Sequence, residues 1–514
     1  MRTKEPLAGT DVMHLAELLG DLRAVKLFST GYGAKPQSHD LLVKGIQYDS
    51  RKVRQGDLFV AIRGGAVDGH LFIDNAIQRG AVVVVVEDDG SVSDSRCVHA
   101  GVTKVVVPNS RIALATLSGN FYGHPSRKMK LLGVTGTNGK TTTTHLLKSI
   151  LDRGETKAGL IGTIEYRVGD EALPATHTTP ESLELNDLLA RMADRGCTSV
   201  AMEVSSHSLV QHRVHGLEFT AGVFTNLSQD HLDFHENMER YAAAKRTLFE
   251  SIPEDGWSVV NMDDPFAVAV TGTTKARQVS YSLRPGADLH AEDIRMGIRG
   301  MELSILHRGG RERLVTGLTG RFNVLNILAA CATGAALEIP WPDIREGIRQ
   351  LGSVPGRFEQ IPSPIGWTAI VDYAHTPDAL QNCLWGIRDI LRPEGEGKVI
   401  AVFGCGGDRD AGKRPMMGRV VSELSDFTII TSDNPRQEDP LEIIRQVEAG
   451  VVPGKGVQRE VDRRLAIRLG LSMAGKGDVV LIAGKGHERY QVVGDRRVHF
   501  DDREEVETFI RSEL

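Results

Sequence analysis

Short apolar runs that end on a polar tip recur along the chain. Residues 81–86 close on Glu87-Asp88-Asp89, residues 199–202 on Glu203, residues 221–224 on Thr225-Asn226, and residues 257–260 on Asn261 with Asp263-Asp264. Further on, residues 369–371 lead to Asp372, 399–403 to Gly404, 427–430 to Asp433 and 479–482 to Gly484. Continuous rather than alternating apolar runs of this length read as strands buried on both faces, with helices between them. The fold class is therefore α/β with mainly parallel sheets. Ligands of such sheets bind beyond the carboxyl ends of the strands, so the polar tips are where chemistry is expected.

At 514 residues the chain exceeds one hydrophobic core, and two to four domains are expected. Three blocks emerge. Residues 1–109 alternate short strands and helices. Residues 110–357 open with a connecting helix at 111–122. Residues 358–514 follow Val354-Pro355-Gly356-Arg357, a stretch suited to a hinge. A cleft between the second and third blocks is the natural site. The net charge of −6 argues against non-specific nucleic-acid binding. The five cysteines are scattered, without metal-ligand spacing, and read as reduced cytosolic thiols. The first eleven residues carry no apolar export signal, and no apolar run is long enough to cross a bilayer.

The most informative stretch is Leu-Leu-Gly-Val-Thr-Gly-Thr-Asn-Gly-Lys-Thr-Thr at 131–142. An apolar strand enters a glycine-rich turn, and a helical segment follows. Backbone N–H groups and a helix N-terminus then face an anion, Lys140 neutralises phosphate, and a threonine hydroxyl binds Mg²⁺. The usual spacing places a glycine at 134; here Val134 stands there and Gly136 leads the turn, so the loop is a variant. Glu203, at a strand tip, suits a hard cation such as Mg²⁺. Asn226, Asp230, His231, Asp233 and His235 cluster nearby. The His-x-x-x-His pair invites a zinc reading, but no glutamate stands between the histidines, and Mg²⁺ at one of them fits better beside a nucleotide loop.

Eight motifs then occur in one order: Gly-Thr-Asn-Gly-Lys-Thr (136–141), Glu-Val-Ser-Ser-His (203–207), Asp-His-Leu-Asp-Phe-His (230–235), Tyr-Ala-Ala-Ala-Lys (241–245), Gly-Arg-Phe-Asn-Val-Leu-Asn (320–326), Pro-Gly-Arg-Phe-Glu (355–359), Asp-Tyr-Ala-His-Thr-Pro (372–377) and Asp-Asn-Pro-Arg (433–436). In this the chain resembles the Mur ligases of peptidoglycan synthesis, and within them the branch that adds meso-diaminopimelate. The resemblance implies an N-terminal UDP-binding domain (1–109), a central P-loop ATPase with a mainly parallel sheet (110–357) and a C-terminal Rossmann-like domain that takes the amino acid (358–514). It implies ATP as co-substrate and Mg²⁺ as cofactor. It assigns Gly136, Thr137, Asn138, Gly139, Lys140, Thr141 and Thr142 to the ATP phosphates, Asn323 and Asp372 to adenosine, and Arg357 to a hinge-side nucleotide contact. Thr141, Glu203, His231 and Lys245 would form the metal site, with Lys245 carbamylated by CO₂. Lys140, Glu203, His231 and Lys245 would be the catalytic set.

For the UDP-sugar-peptide, the resemblance assigns Tyr48, Ser50, Gly65, Thr178, Thr179, Ser205, Gln211, Arg213 and Lys245; His177 stands where the family commonly has Asn. For diaminopimelate it assigns Arg409, Asp433, Asn434, Pro435, Arg436, Gly484 and Glu488. An arginine at 436 can fork onto the carboxylate that diaminopimelate has and lysine lacks. As an isolated motif, Asp-Asn-Pro-Arg would be an ordinary turn after a strand. The implied reaction is ATP-dependent amide synthesis through an acyl phosphate, on the D-glutamate carboxylate of UDP-N-acetylmuramoyl-L-alanyl-D-glutamate. A lysine-adding relative and a folylpolyglutamate synthase-like ligase are the near alternatives. Gly404-x-Gly406 is too incomplete for a dinucleotide fingerprint. The expected partners are small molecules, with no nucleic acid or membrane, and the chain is read as a cytoplasmic monomer. His207 and His375 are the candidates for the base that deprotonates the incoming amine.

Overall fold

The structure is a computed structural model that describes residues 12–28, 41–65, 67–154, 157–391 and 397–514. The N-terminal stretch read above for export signals lies outside these residues. Three sheets carry the architecture. The first has five strands in the order Lys26–Phe28, Thr103–Val106, Val83–Val86, Asp57–Val60, Gly45–Gln47. All its pairings are parallel except the edge strand Lys26–Phe28. Val83–Val86 lies in its middle with every residue buried, as the unbroken valine run requires.

The second sheet has eleven strands, and Lys130–Thr135 sits inside it between Ser199–Glu203 and Ala221–Phe224. Its parallel centre is flanked by antiparallel hairpins, Glu165–Val168 with Glu171–Pro174 on one side and Leu289–Gly297, Gly300–His307 and Gly310–Thr316 on the other. Those hairpins alternate buried and open positions, a weaker sequence signal than the continuous runs of the centre. The helices Lys140–Leu151 and Arg321–Ala336 pack against this sheet and against each other around Leu132, Val134, Leu147 and Ile327.

The third sheet has six strands, with Val479–Ala483 inserted between Thr368–Asp372 and Val399–Phe403, and Phe427–Ile430 on the far side of the latter. It is parallel except at its edge strand Glu359–Pro362. The chain crosses into this block through Gly356, whose φ is +63°, and a Cβ there would overlap the backbone of Gly486 and His487. The linker and the loop after the strand Val479–Ala483 therefore touch backbone to backbone. All five cysteines are free and buried. Among the described residues no helix is long and apolar enough to cross a membrane.

Candidate active site

The strand Lys130–Thr135 is apolar and buried from Leu131 onward, and Val134 is fully enclosed in it. That is why the first loop glycine falls at 136: position 134 is still core. Gly136 and Gly139 have φ of 152° and 86°. A Cβ at Gly136 would overlap Thr225 Oγ1, and one at Gly139 would overlap Asn326 Oδ1. The next strand tip holds the turn. Asn138 N donates to Asn226 Oδ1 (2.9 Å), and Asn226 Nδ2 and Thr225 Oγ1 both donate to Asn138 O (3.0 and 2.7 Å). Lys140 opens the helix Lys140–Leu151, and its Nζ curls back to the carbonyls of Gly136 (3.0 Å) and Thr137 (2.8 Å). Its burial lowers the ammonium pKa, with Glu203 and Asp230 opposing that shift.

A cavity of about 660 Å³ opens between the second and third sheets and is lined from both, by Lys140, Thr141, Glu203 and His231 on one side and Asp372 and His375 on the other. Arg357 Nη2 donates to Thr141 Oγ1 (3.1 Å) while its guanidinium lies 4.6 Å from the Tyr373 ring. Glu203 is fully buried and accepts from Thr163 N (2.8 Å) and Thr163 Oγ1 (3.0 Å). His231 sits at φ +54°, and Asp230 Oδ1 accepts from its backbone N–H (2.9 Å). Burial takes its ring down to about 4, so at neutral pH the imidazole is uncharged and can act as a ligand. His235 departs from it: buried, with Nε2 on Ser206 Oγ (2.9 Å) and its ring stacked on Tyr241. The two histidines of the pair thus serve different ends. Among the described residues no three His, Cys, Asp or Glu side chains gather closely enough to hold a metal. Lys245, on the helix Met238–Glu250, is buried, donates to Gly136 O (2.8 Å) and lies 4.6 Å from the Tyr241 ring. Desolvation, and secondarily the charge of Lys140, lower its pKa well below that of an ordinary lysine.

Several of the expected nucleotide and peptide contacts are already bonded within the protein. Asn323 is buried, with Nδ2 on Thr319 O (2.8 Å) and Oδ1 accepting from Asn326 Nδ2 (2.9 Å). The residues that line the cavity from this helix are Arg321, Phe322, Leu325 and Asn326. Asp372 accepts from Phe358 N (2.6 Å) and Ala374 N (2.7 Å), and burial pushes its carboxyl up. Arg213 gives Nη1 to Thr179 O (2.8 Å) and Nη2 to Gln211 Oε1 (2.7 Å), with Nε 2.9 Å from Glu181 Oε1. Its fork is occupied rather than open. Thr179 Oγ1 donates to Glu203 O (2.8 Å) and accepts from Ser205 N (3.1 Å), and Thr178 Oγ1 lies 3.0 Å from Thr163 Oγ1. His177 is exposed, and its carbonyl accepts from Tyr166 OH (2.7 Å). In the first block Tyr48 OH donates to Glu184 Oε1 (2.8 Å), Ser50 is buried and Gly65 is exposed.

The candidate amino-acid residues gather at the carboxyl ends of three neighbouring strands of the third sheet. Asp433 and Asn434 are buried, and Arg436 adopts φ +51° with Nη1 on Gly407 O (2.7 Å). Arg409 is exposed; a Cβ at Gly406 would lie 2.9 Å from Arg436 Nη1 and 3.8 Å from Arg409 Cγ, so both arginines flank that glycine. Asn434 Nδ2 donates to Glu488 Oε2 (2.9 Å), and a Cβ at Gly484 would press on Asp433 Oδ2.

Three family models match in order along the chain: the Mur ligase family catalytic domain over residues 42–122, the Mur ligase middle domain over 134–334, and the Mur ligase glutamate ligase domain over 356–486. The UDP-N-acetylmuramoyl-L-alanyl-D-glutamate–2,6-diaminopimelate ligase of Parabacteroides distasonis is 44% identical over 497 residues, 96% of this chain and 98% of the relative. The chain is a Mur ligase. A relative with the same name in Gloeobacter violaceus is 46% identical over 469 residues, 91% of this chain and 94% of its own. A solved 2,6-diaminopimelate ligase of that name superposes with TM-score 0.68 at 30% identity, covering 98% of this chain and 99% of its own. A Mycobacterium tuberculosis folylpolyglutamate synthase shares the fold at TM-score 0.59 and 17% identity, but over only 73% of this chain and 92% of its own.

In this Mur ligase, some residues of the site carry no motif signal. Asp378 Oδ2 accepts from both Asn138 Nδ2 and Ser228 Oγ (3.0 Å each), so the third block meets the phosphate loop there as well as through Arg357. Thr163, which orients Glu203, lies in a loop with no recognisable pattern. Lys485, between Gly484 and Glu488, is fully buried, with its Nζ on Asn434 Oδ1 and Glu488 Oε2 (3.1 Å each).

Proposed function

We propose that this Mur ligase joins meso-diaminopimelate to the D-glutamate carboxylate of UDP-N-acetylmuramoyl-L-alanyl-D-glutamate, with conversion of ATP to ADP and phosphate. The observation that carries the reading is the facing of two sets of strand tips. A phosphate loop stands on one side of the cleft. On the other block, Arg436, Asn434 and Glu488 gather a guanidinium, an amide and an acid at strand tips, the chemistry that would suit an amino acid carrying both a carboxylate and an ammonium once their present partners within the protein are exchanged for it.

The peptide carboxylate attacks the γ-phosphorus of ATP, and the loop N–H groups with Lys140 balance charge on the equatorial oxygens. The acyl phosphate then takes the neutral amine of the amino acid, and the tetrahedral adduct expels phosphate to leave the amide. Mg²⁺, when bound, supplies Lewis-acid neutralisation of the phosphates. Glu203, a strand-tip carboxylate, and His231, a neutral imidazole, fit as two of its ligands. Among the described residues no further encoded acid joins them in a metal cluster. We assign the additional anion to a carbamate on Lys245: CO₂ adds only to a neutral amine, and the burial of this ammonium favours that form. CO₂ addition to the neutral amine would release one proton to solvent and leave a carbamate anion beside the Lys140 ammonium.

The test is direct. Purified enzyme with ATP and the UDP-linked dipeptide is offered diaminopimelate or lysine, and product mass is measured. A diaminopimelate adduct is expected; lysine addition at equal efficiency overturns the assignment.

A further inference from the structure

Two buried cations beneath the amino-acid pocket remain without a task. Arg463 begins the helix Arg463–Ser472 and is enclosed with Asp502, Nε to Oδ1 and Nη2 to Oδ2 both 2.7 Å. Its remaining donors reach Ser432 O (3.4 Å) and Ala483 O (3.0 Å). Those are the residues immediately before Asp433 and Gly484, so one guanidinium ties the tips of two adjacent-but-one strands by their backbones. Lys485 does the same by side chains. It is fully buried, and its Nζ donates to Asn434 Oδ1 (3.1 Å) and Glu488 Oε2 (3.1 Å), with Asp433 Oδ1 at 4.0 Å.

Apolar side chains would join two loops at least as firmly, since burying paired charges brings little net stability. What the charges add is orientation. Asn434 Oδ1 accepts from Lys485 and from Val492 N (2.9 Å), which leaves Nδ2 no choice but Glu488 Oε2. Lys485, together with Val492 N, thereby orients the amide, and Lys485 also holds the Glu488 carboxylate against it.

We propose that Lys485 and Arg463 are positioning residues of the amino-acid pocket, Lys485 orienting Asn434 and Glu488 and Arg463 setting the separation of the loops that carry them. This rests on the amino-acid reading of the pocket given above. The full-length enzyme is assayed with ATP, UDP-dipeptide and amino acid varied in turn. Lys485→Met should raise KM for the amino acid about tenfold or more and leave the other two KM values within about twofold. Lys485→Arg, which keeps the charge, should recover much of the loss, and Arg463→Lys should raise the same KM by less. If Lys485→Met does not fold, Lys485→Gln, which keeps a donor without the charge, is read the same way. Parallel shifts in all three KM values, or an unchanged amino-acid KM in a folded variant, overturn the proposal. Wild-type enzyme is first run with diaminopimelate and with lysine. Use of lysine would remove the diaminopimelate reading alone, and the KM comparison would then be made with lysine.

Discussion

The phosphate loop at 136–142 is one contiguous turn, held by its own backbone and the adjacent tip at Thr225-Asn226 and also reached by Lys245, Arg357 and Asp378. The proposed amino-acid pocket is assembled from loops after residues 403, 430 and 483, and is held by ion pairs such as Arg463 with Asp502. The loop's phosphate-facing groups thus come from consecutive residues, and every substrate combination would depend on them. The pocket's geometry is collective, and on the proposed reading selectivity would be altered there without touching ATP.

The difference predicts two kinds of kinetic defect. The largest belongs to the loop: Lys140→Ala should cut kcat by about a thousandfold or more with either amino acid, at unchanged melting temperature. Lys245→Ala should lose roughly a hundredfold and regain part of it with added short carboxylic acids, read by phosphate release; full activity without them would contradict the carbamate. In the pocket, Arg436→Lys should raise KM for diaminopimelate about tenfold, because an ammonium cannot reproduce the fork, while the rate with lysine holds or rises. A defect of the kcat type there would erase the contrast between the regions. Arg357→Ala, which frees Thr141 and uncovers Tyr373, should raise KM for ATP roughly threefold to tenfold.

The smallest effect is on stability. Burial holds His235 at about 4 against an ordinary value of 6.5. The folded state therefore binds that proton less readily than the unfolded chain. Its stabilising contribution is complete above pH 6.5 and is lost as pH falls from 6.5 towards 4. Melting temperature should decline across that window, and His235→Gln should make the decline shallower.

Much of this was legible beforehand, for physical reasons. Continuous apolar runs forced the parallel strands at 83–86, 199–203 and 479–483, and a phosphate loop must be contiguous because its donors are consecutive backbone groups. The edge hairpins at 165–174 and 289–316 were not legible, since one open face weakens their periodicity. Nor was the inward turn of Asn323, because one residue's rotation on a helix decides whether it or Asn326 meets the cavity. Asp378 and Thr163 act through partners far away in the chain, which no local pattern announces.

The contact at Gly356 has a mechanical consequence. With the linker backbone pressed on Gly486 and His487, the two segments mesh like gear teeth. The segment that joins the second and third blocks thus leans on the loop that carries Gly484 and Glu488, so a shift of one would be felt by the other and by the amino-acid seat proposed there.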